Sequence, residues 1–424
     1  MFKVVETFSG IGSQAKALKK IGIDYKIEKT VEWDINAIIA YCLIHKGKID
    51  IQKYETVSDD EIFDFLSRET LSREGKEPMT ERGLKNLPAL VRRTVYSAIK
   101  ETDNLISITD VAGKDIPDDT DLLTYSFPCQ DLSLCSCWHG NQTGISRNVK
   151  NRSGMLWEIE RILGEMESNG QPLPRFLLME NVTNILSKRH EKDFNSWKQE
   201  LERLGYYNKV YRLNALDFGI PQNRKRAYMI SIQCGPDAEI RKKLDEYFEQ
   251  NNLEKNNSRF ISRKIEIKDI LRLDYGVAQY LKEAVMSNPN NTPSRKKIKE
   301  DNVLLHNGKK QLFPFAKTVT TKQDRNPNSG LISFQPENSK KAKWRYLTPR
   351  ECFLLMGFDE EDYDSIIENN ISTTRTRKFF TLEKLIKLAG NSIVVDVLEA
   401  IFRQIIEIDD NIMKHQEMRC DAKK

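Results

Sequence analysis

The sequence predicts an α/β fold built on a doubly wound sheet. Three observations carry that expectation. An apolar strand pattern at residues 3–8 (KVVETF) runs into a glycine turn at Gly10 and Gly12 and then an amphipathic helix reaching about Lys20. A second strand (27–32) and a second helix (35–45) follow directly. Apolar strand-length runs then alternate with helical patterns as far as residue 233, the order expected of a doubly wound sheet.

Taken in order, strands are expected at 105–108, 121–126 (DLLTYS), 175–180 (RFLLME), 207–213 and 226–233 (RAYMISIQ). Helices are expected at 154–167 and 193–204. Residues 48–103 interrupt this order as a charged, mostly helical insertion. Its apolar positions Ile62, Phe63, Phe65 and Leu66, then Leu87, Leu90, Val91 and Val95, recur at helical spacing, so it reads as a helical decoration packed on the core. Residues 344–358 (WRYLTPRECFLLMGF) give a helix started by proline, and 381–408 return to helix around Gly390-Asn391-Ser392. The expected organisation is therefore a catalytic unit at 1–233, a separate module at 234–343, and a segment at 344–424 that completes the catalytic unit.

Composition sets the broad class. The chain has 424 residues, of which 30% are charged and 39% hydrophobic, as in a globular protein. It contains no apolar run of about 18 residues that would cross a membrane, and Met1-Phe2-Lys3-Val4-Val5 enters the first strand without a secretory apolar region. Seven scattered cysteines do not form a disulfide framework, which points to a reducing cytoplasm. The net charge of +5 is unevenly spread: residues 235–345 hold 23 basic and 14 acidic residues, so that stretch carries about +9 and the rest about −4. A concentrated basic module beside a neutral-to-acidic enzyme unit is a nucleic-acid footprint.

Four motifs carry chemistry. In Thr7-Phe8-Ser9-Gly10-Ile11-Gly12-Ser13 the glycines let backbone approach a ligand at a strand-to-helix turn. Glu32-Trp33 ends the next strand. A carboxylate there can accept from both ribose hydroxyls and an indole can stack on adenine, so the pair points to an adenosine-containing cofactor. With no GxGxxG for a pyrophosphate, S-adenosylmethionine is favoured over a nicotinamide. Phe127-Pro128-Cys129-Gln130 follows a strand, where α/β folds bind ligands, and sets Cys129 at the active edge as a nucleophile. The stretch from Asp131 to about Ser153 reads as a long loop able to close over the site. Cys135, Cys137 and His139 within it lack a fourth ligand, so no metal is expected. Glu180-Asn181-Val182 offers an acid–base carboxylate at another strand end. In Asn214–Arg226 (NALDFGIPQNRKR), Arg224 and Arg226 alternate onto one face, suited to phosphates or base carbonyls.

In this order the motifs FSGIG, EWD, FPCQ, ENV, DFGIPQNRKR, RYLTPRECFLLMGF and GNSI resemble those of the bacterial and phage cytosine-C5 DNA methyltransferases, over residues 3–47, 105–133, 152–233 and 344–408. The resemblance implies a Rossmann-like S-adenosylmethionine-dependent domain with a smaller DNA target-recognition domain. By it, Phe8, Gly10, Ile11 and Gly12 line the cofactor site, Glu32 holds the ribose, and Trp33 stacks on adenine. Asp110 and Val111 meet the adenine edge, and Pro128, Leu156, Asn391 and Ser392 complete the pocket. It also makes Cys129 the nucleophile and Glu180 the acid at the cytosine N3 and amino group. Arg224 and Arg226 stand at the target cytosine's O2 and the nearby scaffold, Arg224 being the cation that stabilises developing charge. Gln222 and Thr318 become DNA contacts. The implied partner is double-stranded DNA, with a cognate restriction endonuclease acting separately or solitary, phage-type methylation. The implied enzyme is a monomer at the nucleoid.

Two residues depart from the family's first motif: Glu6 and Ser13 stand where Asp and Gly are usual. An RNA cytosine-5 methyltransferase would share most motifs but carry a Cys-Phe-Thr signature absent before residue 344. An amino-methyltransferase would need a Pro-Pro pair, and the chain has none. A non-catalytic DNA-binding relative would have no reason to keep Cys129, Glu180 and Arg224 together.

Overall fold

The structure is a computed structural model in which residues 1–128, 152–335 and 340–414 are described. Its centre is a six-stranded sheet formed by β1 (Phe2–Thr7), β2 (Tyr25–Val31), β3 (Leu122–Tyr125), β4 (Phe176–Val182), β5 (Tyr206–Asn214) and, after a two-residue strand β6 (Gln222–Asn223), β7 (Lys225–Gln233). The spatial order is β2-β1-β3-β4-β7-β5. β1 runs parallel to β2 and β3, and β3 parallel to β4, whereas β7 is antiparallel to both β4 and β5. The connection from Asn214 to Lys225 is short for a parallel crossover, which takes a dozen or more residues, so β7 returns in the opposite direction.

The apolar strand runs are continuous because both faces of the sheet are covered. Val4, Leu122 and Leu178 face one core, while their neighbours Val5, Leu123 and Leu177 face the other. Helices Ser13–Ile21, Ile35–Lys46 and Val395–Ile408 build the first core through Leu18, Ile39, Leu43, Leu398 and Phe402. Helices Leu156–Ser168 and Glu191–Arg203 build the second through Ile159, Leu163, Trp197 and Leu201. The C-terminal helix thus packs on the first helix of the chain.

The insertion is helical as expected, with helices Asp59–Arg68, Glu81–Lys85 and Ala89–Glu101. Ser58 and Glu61 form a reciprocal capping box at the first of them. Ile62, Leu66, Leu84, Leu87, Val91 and Val95 join the first core, while Leu90 stays exposed.

The expected strand at 105–108 does not form. The side chain of Asn104 takes over the backbone groups a ladder would use: its Oδ1 accepts from the Glu32 and Ile106 amides at 3.0 Å each, and its Nδ2 donates to the Glu32 carbonyl at 3.0 Å. Pairing with β2 stops at one bridge, Thr30 with Asn104, and Ile106 is turned to φ 67°.

Beyond residue 234, the helix Ala238–Gln250 and the turn of helix Ile267–Ile270 bury Leu244, Phe248, Ile267 and Ile270 in the first core. A third, small cluster forms around Leu331, Ala342, Trp344 and Tyr346. It lies on a three-stranded sheet of β8 (Leu304–His306), β10 (Leu331–Ser333) and β11 (Trp344–Tyr346), preceded by helices Ala278–Met286 and Pro293–Asp301. Among the described residues no helix is long and apolar enough to cross a membrane.

Candidate active site

The site lies off the carboxyl ends of β1–β4, near the switch point where the chain moves from β2 across β1 to β3. At its first corner, β1 ends at Thr7 and the backbone turns through Phe8 (φ 54°), Gly10 (φ 55°) and Gly12 (φ 79°) before helix Ser13–Ile21. Phe8 holds a conformation that side chains rarely adopt. Gly10 opens onto free space: a Cβ built there meets nothing within 4 Å. Gly12 is required for the opposite reason, since its Cβ would lie 2.1 Å from the His45 ring. Ile11 is buried between them.

Glu32 sits across this loop. One carboxylate oxygen accepts from the Gly10 amide at 3.0 Å and the other from the Asp34 amide at 2.8 Å. Burial, helped by the nearby Asp34 charge, pushes its carboxyl up to about 7. Trp33 is half-buried beside it. Glu6, the departure from the family's first motif, is fully buried and accepts from the Ala15 amide and the Tyr41 hydroxyl, both at 2.7 Å. It therefore fastens the helix start to the sheet, with its carboxyl also pushed up to about 7 by burial.

The donor set fits an adenosine-type ligand: an open glycine loop, a carboxylate with acceptor capacity left after two amides, and a half-exposed indole. Val111 is buried, and its carbonyl accepts from Arg161 at 2.7 Å, while Asp110 is exposed next to it. Leu156 is buried at the start of its helix and Pro128 is half-buried. Asn391 is exposed and Ser392 buried, at the end of helix Leu382–Asn391.

The second corner is built on β3, β4 and β7. Tyr125 pairs with Met179, so Ser126 comes opposite Glu180, and its hydroxyl donates to the Glu180 carboxylate at 2.6 Å. Val182 pairs with Arg226 across β4 and β7, which sets the Arg226 guanidinium diagonally over Glu180; the ion pair measures 3.3 Å. Asn181 donates to the Phe127 carbonyl at 3.0 Å, tying the strand end of the FPCQ motif to β4. Cys129 lies outside the described residues, as do Cys135, Cys137, His139 and nearly all of the expected closing loop.

Two expectations are corrected here. Arg224 does not stand beside Glu180. Its guanidinium is buried and donates to the carbonyls of Val319 (2.8 Å), Gly390 (3.1 Å) and Ser392 (2.9 Å). It binds three segments of backbone together, and Arg226 is the arginine at the carboxylate. Gln222 is not a surface contact for DNA either. It is 0% exposed, accepts from the Val319 amide at 2.8 Å and donates to the Leu355 carbonyl at 2.7 Å. Thr318 remains half-exposed, with its hydroxyl on the Asn223 carbonyl at 2.7 Å, next to β9 (Ala316–Lys317), which pairs with β6.

Sequence reading missed Ser126, the positioning use of Asn181, and His45. Ser126 and Glu180 end adjacent parallel strands, so strand register carried a signal. His45 carried none beyond falling on a helix whose apolar residues run all round.

The fold is shared with solved methyltransferases. The S. pombe Dnmt2 methyltransferase superposes with a TM-score of 0.56 over 96% of this chain and 98% of that one at 18% identity. The Entamoeba histolytica methyltransferase EhMeth does so with a TM-score of 0.55 over 97% and 98% at 16% identity. The profile of the C-5 cytosine-specific DNA methylases matches residues 91–407. The orphan methyltransferase M.SssI of Spiroplasma monobiae is 35% identical over 95% of this chain and 97% of its own. The type II methyltransferase M2.ScrFI of Lactococcus lactis subsp. cremoris is 32% identical over 96% and 99%. A match of this extent shows that the chain belongs to the C-5 cytosine-specific DNA methylase family and is a DNA (cytosine-5)-methyltransferase.

Proposed function

We propose that the enzyme methylates a cytosine flipped out of double-stranded DNA, with S-adenosylmethionine as donor and Cys129 as covalent nucleophile. The observation that carries the reading is the cluster Ser126–Glu180–Arg226, built at the strand ends that lead into Pro128-Cys129.

Glu32 would accept from the cofactor's ribose hydroxyls, Trp33 would flank its adenine, and the loop from Phe8 to Gly12 would face its polar end. Bound there, S-adenosylmethionine supplies an electrophilic methyl group. The chain's own residues do the rest. Cytosine C5 is a poor nucleophile, so the Cys129 thiolate adds to C6 and the electron pair of the C5–C6 bond moves to C5. Glu180, after taking up a proton from solvent, donates it to N3, and Arg226 faces the negative charge gathering at O2. Arg226 takes the role expected of Arg224, because the Arg224 guanidinium is engaged by backbone. Once C5 is methylated, the donor having left as its neutral thioether, the C5 proton leaves to solvent, the C6–S bond breaks, the thiolate departs, and N3 returns its proton to Glu180. A base inside a duplex is out of reach of Cys129, so it must be extruded.

The DNA-reading part is proposed to be smaller than the module expected at 234–343. Residues 235–276, largely packed on the main core, hold 9 basic and 9 acidic residues, whereas 277–346 hold 14 basic and 5 acidic. The whole surplus of about +9 therefore falls on the module around the small sheet, which suits phosphate contact and groove readout. M.SssI is named an orphan enzyme and M2.ScrFI a type II one, so solitary methylation and restriction–modification both have precedent among the relatives.

Cys129→Ser is expected to reduce transfer of a tritiated methyl group to DNA by at least about a thousandfold while DNA binding persists. Near-normal turnover of that variant would overturn the mechanism.

A further inference from the structure

Beneath the cofactor loop lies a row of polar groups, buried at Glu6 and Tyr41 and half-buried at His45, that the chemistry above does not use. His45, on helix Ile35–Lys46, brings Nε2 within 3.1 Å of the Ile11 carbonyl. A carbonyl only accepts, so the ring carries its proton on Nε2 and donates. The ring occupies the space that a Cβ on residue 12 would fill. Tyr41, one turn earlier, packs its ring on His45 with centroids 4.5 Å apart, and its hydroxyl donates to Glu6. The other Glu6 oxygen accepts from the Ala15 amide. The row Glu6–Tyr41–His45–Ile11 thus runs from β1, through the second helix, to the apex of the loop.

We propose that His45 is a positioning residue for the cofactor: its donated hydrogen bond fixes the Ile11 carbonyl from below while Glu32 fixes the Gly10 amide from the ligand side. The two contacts grip adjacent residues of the loop. With both in place, Phe8, Gly10 and Gly12 are held at positive φ before the ligand arrives, so binding does not carry the cost of ordering the turn. Burial supports the assignment, because it lowers the His45 ring to about 4 and keeps the imidazole neutral, with one nitrogen as donor. A residue in this role changes the affinity of the cofactor without touching it.

The proposal rests on the reading that this loop holds S-adenosylmethionine, and the experiment separates the two. Full-length wild type, His45→Phe, His45→Gln and Glu32→Ala are compared by steady-state kinetics and by calorimetry with S-adenosylmethionine. His45→Phe keeps a ring against Tyr41 but cannot donate; it is expected to raise the S-adenosylmethionine KM about tenfold, with kcat and the DNA KM within about twofold of wild type. His45→Gln restores a donor and is expected to recover most of that loss. Wild-type S-adenosylmethionine KM in His45→Phe, or equal impairment of His45→Phe and His45→Gln, would overturn the role. Should His45→Phe fail to fold, Tyr41→Phe loosens the same row, with an expected rise of about threefold; an unchanged value would overturn the proposal. If Glu32→Ala also binds S-adenosylmethionine as tightly as wild type, the cofactor reading itself fails. If Glu32→Ala is weakened and His45→Phe is not, only the role of His45 fails.

Discussion

The two corners of the site are built in opposite ways. In the corner proposed for the cofactor, the glycine loop and the groups that hold it are local in sequence: Glu6, Phe8 to Gly12, Glu32, Tyr41 and His45 fall on two successive strand–helix units. Its polar groups are carboxyls and a neutral imidazole that hold backbone amides and a carbonyl. The target corner is assembled from segments far apart, with Arg224 and Gln222 binding residues 319, 355, 390 and 392. There, two arginines two residues apart, Arg224 just before β7 and Arg226 within it, have different partners. One is turned inward on carbonyls and holds the corner together, and the other is paired with Glu180, where the proposed mechanism uses it. The difference teaches that the residue type at a site does not fix its job; the number of backbone groups waiting for it does.

That division can be broken with paired substitutions. Arg226→Ala is expected to lower kcat about a hundredfold or more with the melting temperature nearly unchanged, since it removes a cation at the developing charge. Arg224→Ala is expected to cost about 3 kcal/mol or more of stability, because three carbonyl acceptors in a buried knot lose their partner. Thermal unfolding and kcat measured on both variants check the split, and matching profiles would erase it.

A smaller effect sharpens the cofactor corner. The Glu6 carboxyl, ordinarily near 4.5, is raised to about 7 in the fold. A raised folded value means its contribution is fully present below about pH 4.5 and is lost as pH climbs through 7, by up to about 3 kcal/mol. Glu6→Gln cannot titrate, so the stability difference between it and wild type is expected to change across that interval and level off above it. Denaturant unfolding between pH 4.5 and 8 gives the slope. A flat difference would mean that Glu6 is ionised throughout. Glu32 is raised in the same range, so the Glu6 variant keeps part of the wild-type slope.

How much of this was legible follows the same contrast. The glycine turn, Glu32-Trp33 and the strand that carries Glu180 could be read because each depends on near neighbours. Gln222 and Arg224 were misread because alternation along a strand says which face a side chain takes, not that Val319, Leu355 and Gly390 will close over it. The strand expected at 105–108 had the right apolar residues, but one side chain, Asn104, ended the ladder by bonding to Glu32 on both its backbone groups. The basic stretch was visible as charge, yet its balanced first part became distinct only once helix Ala238–Gln250 was seen to pack on the main core.

The most direct test of the account is a covalent one. Duplex DNA carrying 5-fluorocytosine has no C5 proton to lose, so an enzyme that adds a thiolate to C6 and methylates C5 is trapped on it. The account predicts that wild type, with S-adenosylmethionine present, forms an adduct stable to denaturant, that the cross-linked peptide contains Cys129, and that Cys129→Ser forms none. Absence of a wild-type adduct, or an adduct mapping to another residue, would contradict it.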